Sequence, residues 1–156
     1  MLEVAVPGYR NLDLSHLVLD YNGTIACDGR LIEGVEARLA VLSKNMEVHV
    51  LTADTFGTVK AQLAQTDCRL SVIPQGDQAG AKCDYVRKLG AERCVCVGNG
   101  RNDSLMLKEA AVGIAVMQAE GAAVAAVVAA DVVVTSILDA LDLLSNPLRL
   151  TATLRS

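Results

Sequence analysis

The sequence predicts a three-layer α/β/α protein built on a mainly parallel sheet. Short Val- and Leu-rich runs alternate with longer stretches of helical period, which is typical of repeated βαβ units. Apolar residues make up 52% of the 156 residues but aromatic residues only 3%, so the core is aliphatic, as in parallel strands covered by helices. The connections between the predicted strands and helices are short, and no Ser-, Gly- or Pro-rich linker separates these elements. We therefore expect one domain over residues 1–156.

The strands are the short runs of apolar residues, and we place them at residues 16–20, 46–51, 69–73, 93–97, 112–116 and 131–134, with a further edge strand at 2–6. The helices are the stretches of 3.6-residue period between them, at residues 33–44, 56–66, 77–89, 103–110, 119–129 and 136–144. Asn146-Pro147 ends the last of these, and a short terminal helix follows. The helix at 119–129 is so rich in Ala and Val that we expect it to be buried against the sheet.

The composition argues against nucleic acid and membrane partners, because a net charge of −4 does not provide the basic surface that either would need. The five cysteines lack paired CxxC spacing, so we interpret them as buried small hydrophobic residues, with the thiols of Cys94 and Cys96 pointing apart. Free thiols, and an N-terminal stretch without a signal-peptide pattern, predict a cytoplasmic protein.

Polar side chains stand where the predicted strands reach their carboxyl ends. Asp20 ends the first strand of the sheet, Thr52 follows the second, and a polar stretch from Asn99 to Asp103 follows the fourth. Lys82 lies in the helix after the third strand. Because ligands of an open parallel sheet bind beyond the carboxyl ends of its strands, we expect a carboxylate, a hydroxyl, an ammonium group and a second acidic cluster to meet at one edge.

This set of groups suits a phosphoryl group and a magnesium ion. The carboxylate of Asp20 can attack phosphorus and form an aspartyl phosphate, while Thr52 and Lys82 bind the phosphoryl oxygens. Mg²⁺ prefers a few carboxylate or carbonyl oxygens together with water and phosphate, so Asp20 and Asp103 are its natural anionic ligands. Each motif alone has a plainer explanation, because Asn-Gly and Asp-Gly also signal hairpin turns and "GNGRND" also suits an ordinary strand-to-helix turn.

The motifs resemble those of the haloacid-dehalogenase-like (HAD) superfamily over about residues 15–135, most of the chain. "LVLDYNGT" resembles the first motif, hhhhDxDGT, "VLTADT" the second, and "VGNGRNDSLML" the fourth, commonly GDGxNDxxML. The resemblance is strongest to small proteins that look like an isolated P-type ATPase phosphorylation domain. It implies a Rossmann-like HAD fold and a Mg²⁺-dependent phosphohydrolase or phosphotransferase.

The resemblance also implies roles for single residues. The catalytic residues would be Asp20 as nucleophile, Asn22 at the acid/base position, and Thr24, Thr52 and Lys82. The substrate-binding residues would be Thr52, Ala53, Lys82 and Asn102, and the metal ligands would be Asp20, Asn22, Asn99 and Asp103.

Two residues depart from the family pattern. Asn22 replaces the aspartate that protonates the leaving group and then activates water, and general acid–base help is typically worth ~10²–10⁴ in rate. Asn99 replaces the principal metal carboxylate, so one negative charge is missing from the metal site. Both departures predict slow turnover. We expect turnover to be slowed least on acyl or aryl phosphates, because their leaving groups need little protonation.

The family's substrate-selecting cap domain has no room in this chain. Only about twenty residues separate the first motif from the second strand, and residues 21–31, with two turn signals, are expected to form a flap over the site. A capless member of this fold takes a large substrate or covers its site with another subunit. We therefore expect a phosphorylated small molecule or a phosphoprotein as substrate, and a second copy of the chain as a candidate cover.

The rival hypothesis is a regulatory or phosphate-binding domain that keeps the fold without turnover. Asp20, Thr52, Lys82 and Asp103 favour the enzyme, whereas Asn22 and Asn99 favour the rival. We interpret His16 and His49, which adjoin apolar runs, as structural. Arg101 is a candidate contact for a substrate anion, and Asp54 either helps the metal or caps a helix that begins near Thr55.

Overall fold

The computed structural model describes residues 1–54 and 57–156, and in this part of the chain the central sheet has six parallel strands. In spatial order they are β10 (Val132–Val134), β9 (Val112–Val116), β8 (Cys94–Gly98), β3 (His16–Asp20), β6 (Glu47–Thr52) and β7 (Arg69–Val72). Each corresponds to a strand predicted for the sheet. The three-layer α/β/α fold is therefore confirmed.

Helices cover both faces of the sheet. They are α1 (Val35–Leu42), α2 (Thr58–Gln62), α3 (Gln78–Leu89), α4 (Ser104–Glu109), α5 (Val124–Ala129), α6 (Ile137–Ser145) and α7 (Pro147–Leu154). Side chains of β3 alternate between the faces, so Leu17 and Leu19 join the core under α1 and α6 while Val18 joins the core under α3 and α4. The predicted start of the second helix, Phe56, lies outside the described residues.

The N-terminal segment does not form the predicted edge strand of the main sheet. Instead β1 (Leu2–Ala5) pairs antiparallel with β2 (Asn11–Leu14), which the sequence analysis missed. Gly8, with a φ of 75°, lies in the connection between them. The turn returns the chain on itself before β3, so β1 finds its partner locally.

Two expectations about apolar residues are wrong. Val124 and Val128 of α5 are 76% and 79% exposed, since this six-residue helix turns only one side, with Ala126, toward the sheet. Cys94 and Cys96 face the same side of β8 and share one core cluster, because residues two apart on a strand point the same way. All five cysteines are free, but only Cys83, Cys94 and Cys96 are buried as expected, whereas Cys27 and Cys68 are partly exposed.

The topology places Asp20 at the centre of the carboxyl edge. β3 lies between β8 and β6, and Asp20 is in register with Leu51. A small antiparallel pair, β4 (Ala26–Cys27) and β5 (Arg30–Leu31), follows Asp20 through a tight turn and forms the predicted flap. The described residues between β3 and β6 hold only this flap and α1, so the fold is capless.

No helix among the described residues combines the length and the apolar character that crossing a bilayer requires.

Candidate active site

Lys82 joins the two predicted carboxylates at the carboxyl edge of the sheet. Its Nζ lies 2.6 Å from Oδ1 of Asp20 and 2.7 Å from Oδ1 of Asp103. Lys82 is 1% exposed, Asp103 is 0% exposed and Asp20 is 7% exposed. Two carboxylates and one ammonium group thus share a nearly dry site, whose net charge is −1 when Asp20 is ionised.

The turn after β8 is shaped to bring Asp103 to this position. Its Oδ2 accepts hydrogen bonds from the backbone N–H groups of Asn99 and Gly100, at 3.0 and 2.7 Å. A Cβ on Gly98 would lie 2.6 Å from the Cβ of Asp103, so only glycine permits this approach. The Gly-rich stretch therefore does more than turn a strand into a helix, because it fixes a carboxylate beside Lys82.

Burial governs the ionisation of Asp20. Desolvation, and then the negative charge of Asp103, raise the pKa of Asp20 to about 7, against the opposing effects of Lys82 and Thr24. Burial disfavours the charge on Lys82, but the two carboxylates outweigh it and raise the pKa of Lys82. Lys82 therefore stays charged, and Asp20 changes its protonation state near neutral pH.

Thr24, the threonine closing the first motif, links Asp20 to Asn99. Its Oγ1 lies 3.0 Å from Oδ2 of Asp20 and 3.1 Å from Oδ1 of Asn99. One hydroxyl hydrogen cannot serve both acceptors. With Asp20 protonated, the carboxyl group donates to Thr24 and Thr24 donates to Asn99, so the chain of hydrogen bonds is complete.

The amide of Asn99 has a function that an aspartate could not perform. Its Nδ2 donates a hydrogen bond of 3.0 Å to the carbonyl oxygen of Gly121, in the loop after β9. A carboxylate at this position would face that carbonyl oxygen with no hydrogen to donate. The departure from the family pattern therefore ties two loops of the site together.

The predicted phosphate-binding residues Thr52, Ala53 and Asn102 follow strands of the central sheet, beyond their carboxyl ends or at them. Thr52, at the end of β6, is buried, and its Oγ1 accepts the N–H of Asp54 at 3.1 Å, while Ala53 follows it at the edge of the sheet. Asn102 donates to Oε1 of Gln78 at the start of α3. Asn102 also borders an open cleft of about 630 Å³, lined by Gly76, Asp77, Gln78, Ala79, Arg101, Ser104, Leu105 and Ala125 as well.

Asn22 contacts the flap and Asp54 contacts α2. Asn22 is exposed in the flap turn, where its backbone pairs with that of Ala26. Asp54 accepts a hydrogen bond of 2.9 Å from the hydroxyl of Thr58 in the first turn of α2. This contact is not a helix cap, because α2 begins at Thr58 with Gly57 as its N-cap and without a side-chain cap hydrogen bond. Thr55, the predicted start of the helix, lies outside the described residues.

Gln118 was not predicted as a site residue. Its Nε2 donates to the carbonyl oxygens of Thr24 and Gly23, at 2.6 and 3.3 Å, and its Oε1 accepts the N–H of Ile137. Gln118 thus holds the flap turn against α6. It lies two residues beyond β9, so the strand-end rule that pointed to Asp20 could have found it.

The donor set fits a hard divalent cation such as Mg²⁺. Asp20 offers a carboxylate, Asn99 a neutral amide oxygen and Asn22 its backbone carbonyl, all of them oxygen ligands. Asp103 is already engaged, because Oδ2 accepts two N–H groups and Oδ1 accepts Lys82, which leaves one lone pair on Oδ1. The buried excess of negative charge favours a cation beside Asp20.

The raised pKa of Asp20 has a consequence for stability. The folded protein holds a proton on Asp20 that the unfolded chain releases above about pH 3.8. The contribution of Asp20 to the free energy of unfolding is therefore full below that pH and is lost as the pH rises to about 7. Asp20→Asn removes the buried carboxylate charge, so we expect the metal-free variant to melt several degrees above the wild type at pH 8. This corresponds to a gain of roughly 1–3 kcal/mol in the free energy of unfolding. The gain should shrink at pH 5, and thermal melts at both pH values measure it. A variant less stable than the wild type at pH 8 would contradict this account.

Two proteins of Methanocaldococcus jannaschii are related to this chain. Uncharacterized protein MJ0073 is 43% identical over 84 residues, which are 51% of this chain and 90% of that protein. Uncharacterized protein MJ0072 is 51% identical over 39 residues, which are 25% of this chain and 89% of that protein. No protein-family model matches the chain.

Solved structures share the fold at low sequence identity. A Legionella pneumophila protein described as a HAD superfamily (subfamily III A) hydrolase has a TM-score of 0.73 and 15% identity, over 91% of this chain and 87% of that one. The 3-deoxy-D-manno-octulosonate 8-phosphate phosphatase of Moraxella catarrhalis, in complex with magnesium and phosphate ions and KDO, has a TM-score of 0.66 and 17% identity, over 92% and 94%. A zinc-transporting PIB-type ATPase has a TM-score of 0.63 and 23% identity, over 78% of this chain and 20% of that one.

The resemblance inferred from the motifs is thus confirmed at the level of the fold, for both the HAD hydrolases and the P-type ATPase domain. The chain belongs to the family that includes the two Methanocaldococcus jannaschii proteins, and it has the capless fold of the HAD superfamily.

Proposed function

We propose that this protein is a Mg²⁺-dependent phosphohydrolase or phosphotransferase that works through an aspartyl phosphate on Asp20. One observation carries the proposal: Lys82 bridges Asp20 and Asp103 in a buried site at the carboxyl edge of the sheet. A buried ammonium group between two carboxylates is costly to assemble for stability alone. The HAD phosphatases that share the fold support a hydrolase.

The carboxylate of Asp20 attacks phosphorus and forms a new P–O bond, while the bond to the leaving oxygen breaks and that oxygen takes the electron pair and a proton from solvent. Lys82 and the hydroxyl of Thr52 stabilise the phosphoryl oxygens. Bound Mg²⁺ would supply charge neutralisation between nucleophile and substrate. Water then attacks phosphorus, the bond to Asp20 breaks, phosphate leaves and one proton returns to solvent.

Asn22 makes the second step slow, because an amide can neither protonate a leaving oxygen nor take a proton from water. The rate of the first step, transfer of the phosphoryl group to Asp20, is lowered least for substrates with good leaving groups, because these need little protonation. Acyl phosphates, aryl phosphates and phosphoanhydrides are therefore the favoured donors, whether they are small molecules or a phosphoprotein. The open cleft beside Asn102 and Arg101 is a candidate contact surface for a large substrate. A cytoplasmic location and a second subunit over the site stay predictions.

A second candidate, a phosphate-binding regulatory domain without turnover, is favoured by Asn99. Its amide ties two loops together instead of contributing a charge to the metal site. Release of phosphate separates the two functions. The purified protein with Mg²⁺ is assayed against acetyl phosphate, p-nitrophenyl phosphate and nucleotides, with a chelator control. Mg²⁺-dependent release, fastest from acetyl phosphate, supports the enzyme, whereas phosphate binding without release from any donor supports the regulatory domain.

We expect Asn99→Asp to strengthen Mg²⁺ binding by at least roughly tenfold, since it adds one negative charge beside Asp20. The same variant loses the hydrogen bond to Gly121, so the metal-free protein should melt at a lower temperature than the wild type. Calorimetric titration with Mg²⁺ and thermal melts with and without the ion measure both effects. If neither form binds Mg²⁺, even with a phosphate analogue present, the proposed metal site is wrong.

A further inference from the structure

Three metal-ligating side chains meet at the opposite edge of the sheet from Asp20. Nδ1 of His16 lies 3.2 Å from Nε2 of His49 and 3.2 Å from Oε2 of Glu47, and the latter two atoms are 3.5 Å apart. His16 opens β3 and Asp20 ends it, so the two places are separated by four residue steps, about 13 Å along a strand. The cluster therefore belongs to a different site.

The triangle of ligand atoms has the dimensions of a tetrahedral metal site. Zinc binds imidazole nitrogen and carboxylate oxygen at ~2.0–2.2 Å, which places neighbouring ligands of a tetrahedron about 3.3–3.6 Å apart. Two of the observed separations, at 3.2 Å, lie just below this range, and the third, at 3.5 Å, lies within it. Octahedral coordination at the same bond lengths would bring neighbouring ligands to about 2.8–3.1 Å, and all three observed separations exceed that range, which favours four ligands.

With both rings neutral, hydrogen bonds among these three atoms leave at least one of the three contacts without a shared hydrogen. A neutral imidazole carries one ring hydrogen, so Nδ1 of His16 cannot donate to both Glu47 and His49. If both rings turned an N–H toward Glu47, the two N–H groups would face each other across the 3.2 Å contact. A cation between the three lone pairs removes the conflict.

The surrounding groups are those that orient metal ligands. The other nitrogen of His49, Nδ1, lies 2.9 Å from the hydroxyl of Tyr85, and the hydroxyl of Ser71 lies 3.3 Å from the same oxygen. Arg69 pairs with Oε1 of Glu47 and leaves Oε2 toward the histidines. Metal-ligating histidines and carboxylates usually have such partners.

The side chains leave one direction open. His49 is 0% exposed, while His16 and Glu47 are 18% and 34% exposed.

We propose that His16, Glu47 and His49 bind one divalent transition-metal ion of the zinc class, with water as the fourth ligand. The ion joins β3 to β6 and is separate from the Mg²⁺ site at Asp20. It also gives the two histidines, interpreted from the sequence as structural, a specific structural role.

Cobalt(II) tests the proposal because its visible absorption distinguishes four-coordinate from six-coordinate sites. Chelator-treated protein, with the whole chain intact, is titrated with Co²⁺ in excess Mg²⁺, which occupies the site at Asp20. The wild type should bind one Co²⁺ with the intense absorption of four-coordination, release it to Zn²⁺, and melt at a higher temperature with Zn²⁺. Asp20→Asn, the control for the other site, should behave the same way.

His16→Gln and Glu47→Gln should lose this ion and its thermal stabilisation, and Tyr85→Phe should weaken its binding by roughly tenfold or more. Glu47 is partly exposed, so its variant serves if His16→Gln does not fold. The proposal is overturned if the wild type binds no Co²⁺, if both ligand variants bind it as the wild type does, or if a thiolate-to-cobalt charge-transfer band assigns the ion to cysteine.

Discussion

Acetyl phosphate and Mg²⁺ are expected to add one phosphoryl group to Asp20, and Asp20→Asn is expected to abolish the label completely. Asp20 is the carboxylate of the site that both contacts Lys82 and lies at the end of the central strand. Asp103, the other partner of Lys82, has Oδ2 occupied by two N–H groups and is fully buried, so it cannot replace the nucleophile. Intact mass and peptide mapping at acid pH measure the label, which alkali or hydroxylamine should remove because it is an acyl phosphate.

A matched control is Asp28→Asn, which makes the same chemical change on an exposed carboxylate of the flap. Asp28 already has a φ of 50°, a conformation that asparagine tolerates well, so the control should fold and label as the wild type does. Label on another residue, or equal labelling of the Asp20→Asn variant, would contradict a mechanism through Asp20. No label and no turnover with any donor would leave the regulatory domain as the better account.

Asn22→Asp is expected to raise the rate of hydrolysis of the aspartyl phosphate by about 10²–10⁴, the usual contribution of a general acid–base group. The wild type lacks a residue at this position that can activate water, so its intermediate should persist. With the carboxylate restored, steady-state phosphate release should rise while the amount of covalent label falls. The two readouts move in opposite directions only if the second step was limiting.

Asn22 is exposed in the flap turn, so the new carboxylate needs no rearrangement of the core. Asn11→Asp in the N-terminal hairpin makes the same change in net charge on another exposed residue and should alter neither readout. If the Asn22→Asp variant hydrolyses no faster than the wild type while both are labelled on Asp20, then a residue other than Asn22 limits turnover. The absence of an acid/base carboxylate would then not explain slow turnover.

Much of the architecture was predictable because it depends on local pattern. Apolar runs of strand length, separated by stretches of helical period, indicate a parallel sheet, and the polar residues after those runs indicate where a ligand binds. Asp20, Thr52, Lys82 and Asp103 were predicted in this way, and the structure brings Lys82 into contact with Asp20 and Asp103. The N-terminal hairpin was not, because the pairing of β1 with β2 depends on which neighbour a short strand meets, and its pattern alone does not contain that information.

The sequence by itself determined the order of the six strands of the main sheet and of the helices between them, the residues at the carboxyl edge and the two asparagines that replace carboxylates. Only the tertiary structure decided which atoms meet. The ammonium group of Lys82 contacts two carboxylates that are 62 and 21 residues away in the sequence. The side-chain amide of Asn99 donates a hydrogen bond to the carbonyl oxygen of Gly121. His16 reaches Glu47 and His49 because the parallel register places the start of β3 beside the start of β6. Such contacts follow from strand register and packing between distant segments, whereas the periodicity of a single segment reflects only its own burial.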